Sequence, residues 1–142
     1  MNSEFEECLK KKKIWEFSRG TALVAKELEA AESDLNEASQ SFSHGSFKWA
    51  IIQSYYSMFH SGRALLYSKN YREKSHYCLI VALRTLYVEE RLLPLHLVEA
   101  LLQAKALREE ADYNNTWSTE SAETLILAAK EFLGLSKKLS TK

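Results

Sequence analysis

Residues 54–66 read SYYSMFHSGRALL, and they lie inside a longer segment, from Phe47 to Lys69, that contains one glycine and no proline. At about 100° per residue, the apolar side chains of this segment fall on one wide strip of a helix. The members of that strip are Ile51, Ile52, Tyr55, Met58, Phe59, Gly62, Leu65 and Leu66. The segment is therefore predicted to be a helix with one side in a hydrophobic core.

The rest of the chain has a similar periodicity. Further helices are expected over residues 21–42, 76–90, 94–113 and 119–139. No segment alternates with the period of two that is typical of a strand. We therefore predict an all-α fold, an antiparallel up-and-down bundle of four to five helices joined by short loops. Residues 20–142 would form the bundle domain, preceded over residues 1–19 by an N-terminal arm or short helix.

Three residues at predicted helix ends have the chemistry that such positions favour. Gly45 suits the position just past the end of the first long helix, where a left-handed backbone is common. Ser75 and Ser118 each precede a predicted helix, and a serine hydroxyl there accepts a hydrogen bond from a backbone N–H.

Composition narrows the possible functions. The 142 residues carry a formal net charge of zero, so attraction of nucleic acid would need a local basic patch. Cys8 and Cys78 lie 70 positions apart without a CxxC spacing, which predicts neither a zinc site nor a disulfide and favours a reducing cytosol. No apolar run is long enough to span a membrane, so we expect a cytoplasmic protein with no membrane partner. The four histidines lack metal-ligand spacing, and no metal or cofactor is expected.

The helix around residues 54–66 has two other strips. One consists of small side chains that allow another helix to approach closely: Ala50, Ser54, Ser57, Ser61 and Ser68. The other, which we call the mixed stripe, consists of Trp49, Gln53, Tyr56, His60, Arg63 and Tyr67. Such a mixture of aromatic and polar groups is typical of partly buried interfaces and polar clefts. Either the mixed stripe is covered by its own bundle, or it forms a homodimer seam or a cleft beside one.

Other polar groups offer further candidates. Arg108 and Asp112 have the i, i+4 spacing of a helix surface pair, and Tyr113 follows them. The segment Arg72–His76 follows Lys69 and is either a solvated basic loop or a phosphate site at a helix N-terminus.

The run from Ala25 to Gly45, followed by Ala50 and the stretch SYYSMFHSGRALL, closely resembles the HEPN domain family in its small, stand-alone archaeal and bacterial form. Ser75-His76 and the element from Arg108 through Asp112-Tyr113 match the same pattern, so that the resemblance covers residues 22–135. It implies a helical bundle that usually dimerises. It also implies a minimal nucleotidyltransferase partner, in a two-gene toxin–antitoxin module.

Many members of that family are metal-independent ribonucleases with an arginine, four to six intervening residues and a histidine. Here Arg72 and His76 are separated by three residues, whereas Arg91 and His96 have four between them, three leucines and a proline. The candidate catalytic residues are His60, His76, Arg91 and His96. We expect a nucleotide or RNA phosphate to be bound by Tyr56, His60, Arg63, Arg72, His76, Arg108, Asp112 and Tyr113. The alternatives are a metal-independent endoribonuclease and a non-catalytic dimerisation or interaction module.

Overall fold

A computed structural model describes residues 2–140 and confirms the predicted all-α class. The elements are α1 (Ser3–Lys10), β1 (Ile14–Glu16), α2 (Gly20–Ser43), α3 (Phe47–Ser68), β2 (Tyr71–Glu73), α4 (His76–Leu83), a π-helical segment (Arg84–Val88), α5 (Leu95–Tyr113) and α6 (Thr119–Ser140).

Helix α3 lies at the centre of the bundle and packs against α2, α5 and α6. The apolar strip predicted for it packs in the core, with Ile51 and Met58 fully inaccessible and Phe59 partly buried. The strip of small side chains, which we call the serine strip, is buried from Ala50 to Ser61 and partly buried at Ser68. Ser57 Oγ donates to the carbonyl of Ala31 on α2 at 2.8 Å. The start of α2 also lies close, because a Cβ on Gly20 would come within 2.4 Å of a backbone oxygen of α3. Small residues thus let α2 approach α3.

The three residues predicted to lie at helix ends have the expected geometry. Gly45 has a φ of +78° just after α2. Ser75 Oγ accepts a hydrogen bond from the Cys78 N–H at 3.2 Å, and Ser118 Oγ accepts one from the Ser121 N–H at 3.0 Å.

We expect Ser75→Ala to reduce the free energy of unfolding by about 1 kcal/mol, because it removes an acceptor for an N–H at the start of α4. Ser46→Ala is the matched control, since Ser46 occupies the same position before α3 but makes no side-chain capping bond. Urea unfolding of both variants measures the difference. Equal effects at the two positions would contradict the capping role of Ser75.

Two predictions about the backbone were wrong. Strands β1 and β2 form an antiparallel sheet in which Ile14 lies opposite Glu73, although no strand was expected. Three residues per strand are too few to show an alternating pattern. The helix expected over 76–90 is α-helical only to Leu83 and then continues as a π-helix. There the Tyr87 hydroxyl donates to the Leu65 carbonyl at 2.7 Å, so tertiary packing holds the segment.

The prediction that the two cysteines do not pair was also wrong. Cys8 and Cys78 form a disulfide, with Cα atoms 5.9 Å apart. Helix α1 packs against α4 and brings them together, which their separation of 70 positions does not reveal. The expectation of a reducing cytosol therefore loses the support that it drew from the cysteines.

Residues 2–19, which we call the N-terminal strap, contain α1 and β1. Phe5 and Ile14 of the strap are buried in the same hydrophobic core as the helical bundle. Asn2 caps α1 through its side-chain oxygen, and its Nδ2 donates to Thr85 Oγ1 at 2.7 Å. In the described part of the chain, no helix is both long and apolar enough to cross a membrane.

Candidate functional site

Side chains from α3 and α5 meet around the guanidinium of Arg108. Its Nη2 donates to Tyr56 Oη at 3.0 Å and lies 3.5 Å from Asp112 Oδ2. The guanidinium carbon also lies 5.9, 5.5 and 5.6 Å from the ring centroids of Tyr55, Tyr56 and Tyr113. Cation–π contacts of this kind hold an arginine in place without consuming its N–H donors.

His76, the first residue of α4, completes this group, which we call the Arg108 cluster. Its ring centroid lies 6.0 Å from that of Tyr55, with the planes inclined by 31°. Burial, together with the charge of Lys105, lowers the pKa of His76 to about 4, so its imidazole is neutral at pH 7. Burial also raises the pKa of Tyr55 to about 12, which keeps the phenol protonated.

Two buried nitrogen atoms of the cluster lack a hydrogen-bond partner among the residues that the structure describes. They are Nε of Arg108 and Nε2 of His76. Buried polar groups are nearly always hydrogen-bonded in native proteins, so each such atom calls for an explanation. Both residues flank the ring of Tyr55, so the cluster has two nitrogen atoms close to the same ring that could still form a hydrogen bond.

A groove of about 340 Å³ between α4 and α5 adjoins the cluster through His76 and Lys105. Arg84 and Lys105 contribute cationic groups to its walls, and Ile80 and Leu102 contribute apolar surface. Lys105 Nζ also binds Glu109 at 3.1 Å. The combination of cationic side chains with apolar surface suits an anionic ligand that has a flat or apolar part.

The low pKa of His76 predicts a specific pH dependence of stability. An unperturbed histidine titrates near pH 6.5, whereas His76 in the folded chain takes up its proton only near pH 4. Between these values the unfolded chain binds an extra proton, so the free energy of unfolding falls as the pH falls through this window, by on the order of 2 kcal/mol. Urea unfolding at pH 7 and pH 4.5 should show a smaller loss for His76→Gln than for wild type. His44→Gln, at an exposed histidine, should keep the wild-type loss; an equal loss in all three proteins would contradict the assignment.

His60 makes its polar contacts with α2. Its Nδ1 lies 2.9 Å from Glu27 Oε1, and its Nε2 lies 3.8 Å from Asp34 Oδ2. Burial raises the pKa of Asp34, an effect that the nearby His60 partly opposes. In the described chain, no group of three or more His, Cys, Asp or Glu side chains is arranged to hold a metal ion.

Arg63 is paired with a buried carboxylate of β2. Its Nη2 lies 2.6 Å from Glu73 Oε2, and its guanidinium carbon lies 4.6 Å from the ring centroid of Phe59. The side chain of Glu73 is only 3% exposed. Burial alone would lower the pKa of Arg63, but the hydrogen bond and the charge of Glu73 outweigh it and raise that pKa. The pair joins α3 to β2.

The remaining members of the mixed stripe differ in exposure. Gln53 bonds to Ser41 on α2 at 2.8 Å, and Tyr67 is 3% exposed, whereas Trp49 is 52% exposed. The polar side chains of the stripe, from Gln53 to Arg63, therefore have partners within their own chain. A role of the stripe in a dimer stays a prediction.

The structure distributes the predicted ligand-binding residues over separate groups. Tyr56, His76, Arg108, Asp112 and Tyr113 come together in the Arg108 cluster. Elsewhere, His60 contacts α2, Arg63 contacts Glu73, and Arg72 lies over the ring of Phe17 at 5.2 Å.

The pair with ribonuclease-like spacing lies at the surface. Arg91 is exposed, in the turn before α5, with a φ of +59°. His96 is exposed too and lies 3.1 Å from Glu131 of α6.

Sequence reasoning did not find several residues of these groups. Lys105 lies three residues before Arg108 and thus on the same side of α5, and this spacing could have predicted that the two residues are neighbours. Glu27, Asp34 and Glu73 had no such signal, because their contacts depend on how α2 and β2 pack against α3.

The comparisons with known proteins agree with this fold. The family model for the HEPN domain matches residues 24–139. A protein of Methanocaldococcus jannaschii named "Putative toxin MJ0605" is 32% identical over 112 residues, which cover 78% of this chain and 84% of that protein. A second protein of the same organism, "Putative toxin MJ0142", is 30% identical over 117 residues, or 81% of this chain and 80% of the relative. The chain belongs to the HEPN domain family.

Proposed function

We propose that this chain is a toxin-like HEPN protein that binds a nucleotide or RNA phosphate at the Arg108 cluster. One observation carries the proposal: Arg108 is held over three tyrosine rings while its buried Nε has no hydrogen-bond partner in the described chain. A phosphate oxygen is the acceptor that an arginine fork binds best.

Each group of the cluster has a role in this proposal. Arg108 binds the phosphate, and Lys105 adds charge from the adjoining groove. Asp112 orients the guanidinium from 3.5 Å. Tyr113, whose side chain is 70% exposed, stacks on a base. Arg63 and Arg72, which the sequence suggested as phosphate ligands, contact Glu73 and Phe17 instead, and this favours Arg108 as the principal ligand.

The proposal extends to partners and location. The names of the two relatives support a role in a toxin–antitoxin module. The minimal nucleotidyltransferase partner and the cytoplasmic location are proposed from the family resemblance alone. We further propose a homodimer through the mixed stripe, with the exposed Trp49 as its principal contact. Light scattering of Trp49→Glu should then report a monomer where wild type is a dimer. A monomeric wild type would contradict the dimer.

Isothermal titration with ATP, GTP and short RNAs tests the binding function. We expect saturable binding of at least one of these ligands to the wild-type protein. No heat of binding from any of them at millimolar concentration would refute the proposal.

A second candidate function is a metal-independent endoribonuclease, which one observation favours. The Nδ1 of His60 is hydrogen-bonded to Glu27 at 2.9 Å, an arrangement that orients an imidazole for general acid–base work. Incubation of RNA with the protein in the presence of a chelator should then yield cleavage that is lost in His60→Ala and kept in His96→Ala. Intact RNA after prolonged incubation with wild type would exclude this candidate.

A further inference from the structure

The N-terminal strap covers β2 and the end of α3. Its Phe17 ring lies 5.2 Å from the Arg72 guanidinium and 5.4 Å from the Tyr67 ring centroid. Phe5 meets Tyr71 edge to face at 5.6 Å. The strap thus contacts Arg72 of β2 and Tyr67, the last aromatic residue of the mixed stripe.

Few secondary-structure bonds hold the strap in place. The sheet between β1 and β2 has three residues in each strand, and a two-stranded sheet is marginal by itself in water. Two further backbone bonds extend this pairing, from the Phe17 N–H to the Asn70 carbonyl at 2.7 Å and from the Lys74 N–H to the Lys13 carbonyl at 2.8 Å. Backbone pairing alone therefore contributes little to the attachment of the strap, which depends also on the buried side chains of Phe5 and Ile14.

The Cys8–Cys78 disulfide is the covalent tie between the strap and the bundle. It joins α1 directly to α4, so the middle of the strap cannot leave while the bond exists. Both cysteines line a groove of about 420 Å³, and its charged residues are Glu4, Glu7, Lys11 and Lys13. Cys8 and Cys78 are only 3% and 2% exposed, so a small reductant would have to reach the sulfur atoms through this groove.

We propose that the Cys8–Cys78 disulfide is a redox switch that holds the strap against β2. Reduction of the disulfide releases the strap. A dithiol reductant cleaves the S–S bond by thiol–disulfide exchange. It supplies two electrons and two protons, becomes a disulfide itself and leaves two cysteine thiols. Opening then separates Phe17 from Arg72 and exposes the edge of β2. This inference stands independently of the ligand proposed above.

Hydrogen exchange measured by mass spectrometry tests the proposal on the full-length protein, before and after treatment with dithiothreitol. The backbone amides of Phe17 and Lys74 should exchange at least tenfold faster after reduction, whereas those of α3 should keep their rates. Alkylation and intact-mass measurement of the untreated protein should find no thiol. The Cys8→Ala/Cys78→Ala variant should match the reduced wild type and should not respond to dithiothreitol. If this variant does not fold, reduced wild type alone decides.

Three results would overturn the proposal. The first is free thiols in the protein purified without reductant. The second is unchanged exchange at Phe17 and Lys74 after reduction that thiol labelling shows to be complete. The third is an equal acceleration in α3, because the disulfide would then hold the whole fold rather than the strap.

Discussion

Arg63→Met is expected to reduce the free energy of unfolding by about 3 kcal/mol or more. The substitution leaves the carboxylate of Glu73 without its bidentate partner, at 3.3 and 2.6 Å, in a site where that side chain is only 3% exposed. A buried charge that loses its partner retains the full cost of its desolvation. Methionine is unbranched and apolar, so it can still pack against Phe59 although the contact of the guanidinium with that ring is lost. Urea unfolding monitored by circular dichroism measures the change.

Two further variants separate charge pairing from packing. The double substitution Arg63→Met/Glu73→Leu should be markedly more stable than Arg63→Met alone, because no buried charge remains. Arg72→Met is the matched control, since Arg72 lies on the same strand as Glu73 but contacts the ring of Phe17. A loss in Arg72→Met as large as that in Arg63→Met would contradict the special role of the pair.

Arg108→Ala is expected to weaken the binding of a nucleotide or RNA by about 10- to 100-fold. Hydrogen bonds to charged groups are worth roughly 1.5–3 kcal/mol, and the variant loses both the charge and the donors. Arg108→Lys should recover only part of the affinity, because an ammonium cannot replace the bidentate guanidinium. Isothermal titration with the ligand that wild type binds gives the affinities.

Arg91→Ala is the matched control for this comparison. It removes the same charge from an exposed turn that lies outside the Arg108 cluster. Its affinity should stay within about twofold of wild type. If Arg91→Ala weakened binding as much as Arg108→Ala, the cluster would not be the site.

The sequence was most informative where a contact depends on a single helix. The apolar strip and the serine strip of α3 follow from local periodicity. The capping residues Ser75 and Ser118 follow from their residue type just before a predicted helix, and the structure confirms them. The association of Arg108, Asp112 and Tyr113 was also predictable, because these residues lie within one and a half turns of the same helix.

Contacts between elements were beyond the sequence. The Cys8–Cys78 disulfide and the Arg63–Glu73 pair join segments whose approach depends on tertiary packing. The mixed stripe suggested one cleft because Tyr56 and His60 are four residues apart. In the structure Tyr56 contacts α5 and His60 contacts α2, so neighbouring residues of the stripe lie in two different environments. The short strands were missed because six residues carry too little pattern.

Phosphate binding at the Arg108 cluster is most directly tested by nuclear magnetic resonance of the arginine side chains. The Nε–Hε signal of Arg108 reports the buried donor that has no partner in the described chain. Titration with a nucleoside monophosphate, and separately with a short RNA, should shift this signal saturably, while the Nε–Hε signal of Arg63, which is bonded to Glu73, should stay in place. An Arg108 signal that does not move at millimolar concentrations of either ligand would contradict the account.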